Sequence, residues 1–202
     1  MAAAAEGIAP HAILMLEAEK AGLPPSDVSM NFMGLPDMNV AFESKNLDFA
    51  ASGEPLITIG VQQGLFVRWK PMADLYPNLP YANFMYGPNL LEKDRDLGER
   101  LMRAYVRGVR AYEDAVSKGA DRARVIGFLQ QPLNLSPQLF EALQEQGGLA
   151  YFNPDGTVDA EPLRPILDYW VRSGAVQPGF DLSRLVENRV AEAVVAKLGK
   201  YQ

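Results

Sequence analysis

The chain has 202 residues, of which 48% are hydrophobic and 22% are charged, and its formal net charge is −6. This length and composition are enough for one large or two small globular domains, while the acidic balance argues against a nucleic-acid partner, which requires clustered Lys and Arg. With no cysteine and a single histidine, His11, the chain cannot form a disulfide, a thiolate zinc site or a multi-histidine metal site, so we expect neither a metal nor a cofactor.

The front of the chain predicts short alternating helices and strands. Helices are indicated where apolar residues recur at helical spacing and Gly or Pro marks an end, and strands where short apolar runs lie between turns. In chain order the pattern predicts helices over 10–21, 36–44 and 55–63 and strands over 28–33, 47–51, 65–69 and 81–86. Two prolines within 76–80 mark a break before the last of these strands.

From residue 87 onward the pattern becomes helical. A long amphipathic helix is predicted over 97–117, with an apolar side formed by Leu97, Leu101, Tyr105, Gly108, Tyr112 and Val116. Further helices are predicted over about 122–130, 136–146, 159–173 and 183–198. We therefore expect an α/β part over 1–86, followed by a mainly helical C-terminal region over 87–202.

Polar residues follow turns in the α/β part of the chain. Asp37 comes just after Gly34, and Glu54 lies between Gly53 and Pro55. Both carboxylates lie at predicted helix starts, where they either cap backbone N–H groups or contact a ligand. Gly53 allows a backbone to approach a ligand closely. The sequence also predicts that Asp48 lies at the same mouth of the α/β layer, where such folds hold small ligands.

A glycine turn at Gly7 precedes the first predicted helix. The first turn of a helix has free N–H groups and the positive end of the helix dipole, which suits a sulfonate, a carboxylate or nitrate. His11 could donate a hydrogen bond to such an anion, although a lone histidine is more often exposed or satisfied by its own protein. Phe32, Trp69 and Tyr86 are either aromatic walls for a planar ligand or core residues.

The order of these motifs resembles that in substrate-binding proteins of bacterial ABC importers, in the branch that serves nitrate, sulfonates, taurine and thiamine-pyrimidine precursors. The resemblance is carried by 7–11 with 19–23, by 26–28 with 33–38, by 41–48 with 47–49, by Glu54-Pro55 and by 152–158, 174–176 and 181–186. It implies that 1–86 is the ligand-binding second lobe of a type II periplasmic-binding-protein-like fold with a small mixed sheet, and that the helical region 87–202 packs on the lobes. Most of the first lobe is then lacking, and the first strand is either missing or replaced by Ala2–Ala5.

The resemblance implies a protein that binds a small organic anion or a heteroaromatic precursor without catalysis. Its partners would be that small molecule and a membrane ABC permease, and its location periplasmic or extracytoplasmic, although residues 1–6 do not form a signal peptide. The expected cleft-lining residues are Gly7, His11, Gly34, Asp37, Gly53, Glu54 and Pro55.

Two alternatives remain open at this point. One is an enzyme of thiamine-pyrimidine synthesis that reuses the same fold, although the sequence contains no nucleophile elbow or phosphate-binding loop. The other is a truncated module that self-associates, because an open sheet edge recruits the strands of a second copy. We expect the chain not to be an enzyme.

Overall fold

A computed structural model of the chain describes residues 1–80, 82–133 and 135–202. The fold is α/β and mostly helical, with a small parallel sheet and a helical C-terminal part. The strands are β1 (Ala2–Ala3) and β2 (Asn31–Phe32). The α-helices are α1 (Ala9–Lys20), α2 (Leu35–Glu43), α3 (Leu56–Gln62), α4 (Met72–Leu75), α5 (Arg95–Ser117), α6 (Arg122–Leu133), α7 (Pro137–Glu145), α8 (Arg164–Arg172) and α9 (Arg189–Leu198).

The described residues form two compact units. The front unit contains Met1–Leu79, Glu145–Gly148 and Pro162–Phe180. The rear unit contains Pro80–Gln144, Leu149–Glu161 and Asp181–Gln202. Each unit therefore combines one long continuous stretch with shorter segments from the last third of the chain.

The middle of the small sheet is β1. Ala2 and Ala3 pair in parallel with Asn31 and Phe32 of β2, and on its other side Ala2 forms a parallel bridge with Ala50. Of the two alternatives for the first strand, that it is missing or that Ala2–Ala5 replace it, the structure supports the second, because the completely buried Ala2 and Ala3 form β1. The predicted mixed sheet is wrong, since every pairing in the described residues is parallel and each return of the chain is made by a helix.

The predicted helices of the front half are confirmed by α1, α2 and α3, but the predicted strands are shorter or absent. The strand over 28–33 shrinks to two residues, and that over 47–51 to the bridge at Ala50. Residues 65–69 and 82–86 have irregular backbone, and Tyr81 lies outside the described residues. A short apolar run becomes a strand only when a neighbouring strand accepts its hydrogen bonds, and within the described part of the chain 65–69 and 82–86 have no such neighbour.

The core of the front unit contains two hydrophobic clusters, one that includes residues of α1 and one that includes Met38 of α2. Ile13 and Leu16 of α1 pack against Tyr76 and against Ile166 of α8. On α2, the fully buried Met38 packs against Ala2 and Leu47. The two helices that connect the parallel segments are thus fixed by hydrophobic contacts, which also fixes the loops at their starts.

The core of the rear unit lies on a different side of α5 from the one predicted. Met102 and Val106 are buried against Ala191 and Val194 of α9, whereas Leu97 and Leu101 of the predicted apolar side are exposed. The two sides are offset by one residue and both carry apolar groups. The packing partner α9 decides which of them is buried. A second hydrophobic cluster joins α6 and α7 around Phe140.

Candidate functional site

Three loops open at one edge of the front unit's sheet, which we call the carboxyl edge. They follow β1 (residues 4–8), β2 (33–34) and the bridge residue Ala50 (51–55). Because the three segments run parallel, their carboxyl ends lie at the same edge. The seven predicted ligand residues all lie in these loops or in the first turns of α1 and α2. Asp48 precedes Ala50, so its predicted place at this mouth is wrong, and it lies toward the opposite edge, the amino edge.

His11 is held in the first turn of α1 by the glycine turn before it. The backbone N–H of Gly7 donates to His11 Nδ1 at 3.2 Å, and Gly7 has φ +78°, a conformation that favours glycine. The imidazole ring makes edge contacts with Phe32 (5.1 Å between centroids) and Trp170 (5.2 Å). Since Nδ1 accepts a hydrogen bond, the neutral ring carries its proton on Nε2.

The environment of His11 favours its uncharged form. Partial burial lowers the pKa of His11 below its ordinary value of 6.5, and the nearby carboxylate of Glu6 opposes this only in part. At neutral pH, His11 therefore offers a neutral N–H donor and no positive charge.

We expect the stability of the protein to fall on acidification because of His11. The neutral form is favoured in the folded state, so the folded protein binds fewer protons than the unfolded chain. The resulting stabilisation is complete above pH 6.5 and is lost as the pH falls through the lowered folded pKa. Urea unfolding between pH 7.5 and 5 checks this, with His11→Gln as the control that lacks the histidine-linked component. Equal pH dependence in the two proteins would contradict it.

Asp37 is exposed in the first turn of α2 and does not cap it. The residue before α2 is Gly34, and no side chain accepts a capping hydrogen bond there, so the capping interpretation is wrong. The carboxylate lies back over Gly34, where an added Cβ would come within 2.9 Å of Asp37 Oδ2. Its negative charge still interacts favourably with the helix dipole. Contact between Asp37 and a ligand stays a prediction.

Glu54 is engaged by its own protein through both carboxylate oxygens. Oε2 accepts from the backbone N–H of Thr58 at 3.0 Å, and Oε1 forms an ion pair with Arg68. Arg68 Nη2 also donates to Thr58 Oγ1 at 3.1 Å. The capping interpretation of Glu54 is thus supported by its bond to Thr58, and a ligand contact by Glu54 would compete with these bonds. Gly53 and Pro55 flank it in the same partly buried loop.

Arg68 is the residue at this edge that the sequence reasoning missed. Its run, 65–69, was interpreted as a strand, and an inward-turned arginine is unexpected there. The signal available in the sequence was a single basic residue inside an otherwise apolar run. Nothing in the local pattern indicates that it pairs with a glutamate fourteen residues earlier.

The three aromatic candidates, Phe32, Trp69 and Tyr86, lie in different parts of the structure. Phe32 lies at the carboxyl edge beside His11 and is exposed, so it is not a core residue. Trp69 is also exposed and contacts Phe49, which precedes Ala50 and so lies toward the amino edge. Tyr86 belongs to the rear unit, where it packs beside Met102 and its hydroxyl donates to the Gly98 carbonyl at 2.9 Å.

Two recesses in the described part of the chain lie elsewhere. A mainly apolar recess of about 410 Å³ is lined by residues that include Leu14, Phe49 and Trp69, toward the amino edge, and none of the seven predicted ligand residues lines it. In the rear unit, a polar recess of about 460 Å³ includes Asp159 and Arg189 in its wall. Within the described residues, no group of three or more His, Cys, Asp or Glu side chains is arranged to hold a metal ion.

Comparison with known proteins leaves the family open. No family model matches the chain, and no curated protein or solved structure is significantly similar to it. None of the helices in the described part of the chain combines the length and apolar character needed to cross a membrane. The importer-related family therefore stays a prediction that rests on the motifs.

Proposed function

We propose that the chain is a solute-binding protein that serves a bacterial ABC importer, or a C-terminal part of one, with a type II periplasmic-binding-protein-like fold. The observation that supports this most is the parallel arrangement of β2, β1 and Ala50. It places three glycine-containing loops at one sheet edge, and ligands of open α/β sheets bind at the carboxyl ends of the strands. The site is therefore the carboxyl edge of the front unit.

The residues at this edge supply binding groups. His11 offers a neutral donor, Asp37 an exposed carboxylate and Arg68 a guanidinium, while Gly7 leaves the backbone open to a ligand. Phe32 adds an exposed aromatic ring beside His11. The activity is binding alone, and the ligand is a small organic anion or a heteroaromatic precursor that is delivered to a membrane permease outside the cytoplasm.

A thermal-shift panel tests this proposal. The full chain is heated with nitrate, methanesulfonate, taurine, benzoate and 2-aminopyrimidine, and a ligand present at one hundred times its Kd stabilises by about 2.7 kcal/mol. We expect at least one compound to raise the melting temperature in a concentration-dependent way. Gly53→Val, which fills the loop after Ala50, should reduce that shift. Gly87→Val is the matched control and should not reduce the shift, because Gly87 is exposed and a Cβ added there would have no neighbouring atom within 4 Å.

If none of the compounds raises the melting temperature, the proposed range of ligands is wrong. An equal shift in the wild-type protein and in Gly53→Val would place the ligand elsewhere.

A further inference from the structure

In the segment around Arg68, apolar side chains face solvent and the charged side chain is turned inward, which is the reverse of an ordinary surface segment. Val67 is 87% exposed and Trp69 is 51% exposed, whereas the Arg68 side chain between them is only 18% exposed. Exposing apolar side chains while withdrawing a charge from water is unfavourable on both counts. The arrangement is therefore maintained by the specific contacts of Arg68.

Those contacts use only one side of the guanidinium group. Nη2 donates to Glu54 and to Thr58, whose side chain is completely buried. Nε is buried and has no partner among the described residues. Nη1 makes no hydrogen bond in the described part of the chain and is not among the buried unpaired atoms, so it reaches solvent. Arg68 is thus fixed in place with an unused N–H pair at its outer end.

We propose that Arg68 is a ligand contact of the carboxyl edge and that its Nη1 donates to an oxyanion group of the ligand, a carboxylate, sulfonate or nitrate oxygen. This inference rests on the proposed function and assigns a residue that the sequence did not indicate. Glu54 and Thr58 hold the guanidinium in one orientation, so little side-chain entropy is lost on binding. Arginine N–H groups form strong, charge-assisted hydrogen bonds with such oxygens.

A second arginine provides a matched control. The Arg110 side chain in the rear unit is 17% exposed and pairs with Asp155, as Arg68 pairs with Glu54. Its Nε donates to the Pro154 carbonyl, and its Nη2 donates to Asp155 and to the Gly199 carbonyl. Its contacts join segments of the protein, so we assign it a structural role.

The experiment measures the Kd of methanesulfonate, taurine, benzoate and 2-aminopyrimidine by calorimetry for the full chain and its variants. Arg68→Gln and Arg68→Lys should each weaken binding at least tenfold, because neither side chain presents the Nη1 group. Arg110→Lys should leave the Kd within a factor of two. Far-UV circular dichroism identifies the folded variants, and Arg68→Lys retains a charge for Glu54 if Arg68→Gln does not fold.

The outcomes separate this inference from the proposed function. An unchanged Kd in whichever Arg68 variant is folded overturns the role of Arg68 and leaves the proposed function standing. Binding of 2-aminopyrimidine without binding of any oxyanion also overturns the role of Arg68 and leaves the proposed function standing. If the wild-type chain binds none of the compounds, both proposals are overturned.

Discussion

Phe140→Ala is expected to lower the free energy of unfolding by about 3–5 kcal/mol, the range for deleting a fully buried aromatic ring. Phe140 on α7 has no exposed surface and packs in the cluster formed with Ile126, Leu135 and Leu143. Alanine leaves a cavity that the two helices cannot close completely, so the lost contacts add to the lost transfer free energy. Urea unfolding followed by circular dichroism at 222 nm measures the difference.

The control for this change is Phe128→Ala on the neighbouring helix α6. Phe128 is 67% exposed, and truncating an exposed side chain usually changes stability by less than about 0.5 kcal/mol. Equal effects of the two substitutions would show that the α6–α7 cluster is not the core of this part of the rear unit.

Arg110→Ala is expected to lower the free energy of unfolding by about 2–3 kcal/mol. Removing one partner of a fully buried ion pair costs about 3–5 kcal/mol, and we reduce this range because both partners keep some exposure. The substitution leaves the Asp155 carboxylate without its guanidinium and frees the carbonyls of Pro154 and Gly199. Denaturant unfolding of the purified chain measures the loss.

Arg107→Ala, at an exposed position on the same helix, is the control and should be nearly neutral. A loss below 0.5 kcal/mol for Arg110→Ala would contradict the structural role assigned to this residue. Arg110 matters beyond its ion pair because it connects α5 with the turn at Pro154–Asp155 and with the C-terminal residues. Tyr201 joins the same network by donating its backbone N–H to Asp155 and its hydroxyl to Asp114.

The helices were the part of the fold that the sequence predicted best. Periodic apolar residues, with Gly or Pro at the ends, indicated α1, α2, α3 and α5 to within a residue or two. These signals are local, because a helix forms its hydrogen bonds within four residues of each donor. For the same reason, the sequence predicts the glycine turn at Gly7 and the helix start that follows Gly53.

The strands and the buried side of α5 could not be predicted in this way. Nothing in the sequence indicates that Ala2–Ala3 form the central strand, or that the more apolar run 65–69 forms none of the hydrogen bonds of the sheet. A strand depends on a partner that is distant in the chain. The offset between the predicted and observed buried sides of α5 has the same cause: α9, about ninety residues later, selects the side that is covered.

The amino-acid sequence by itself determined where the chain turns, where it is helical and which few residues can take part in chemistry. Only the tertiary structure decided that the loops after β1, β2 and Ala50 open at one edge, that Glu54 is engaged by Arg68 and Thr58, and that Arg68 keeps an unused donor. The physical reason is range. Helices and turns arise from bonds between near neighbours, whereas strand pairing, ion pairs and burial depend on segments that only folding brings together.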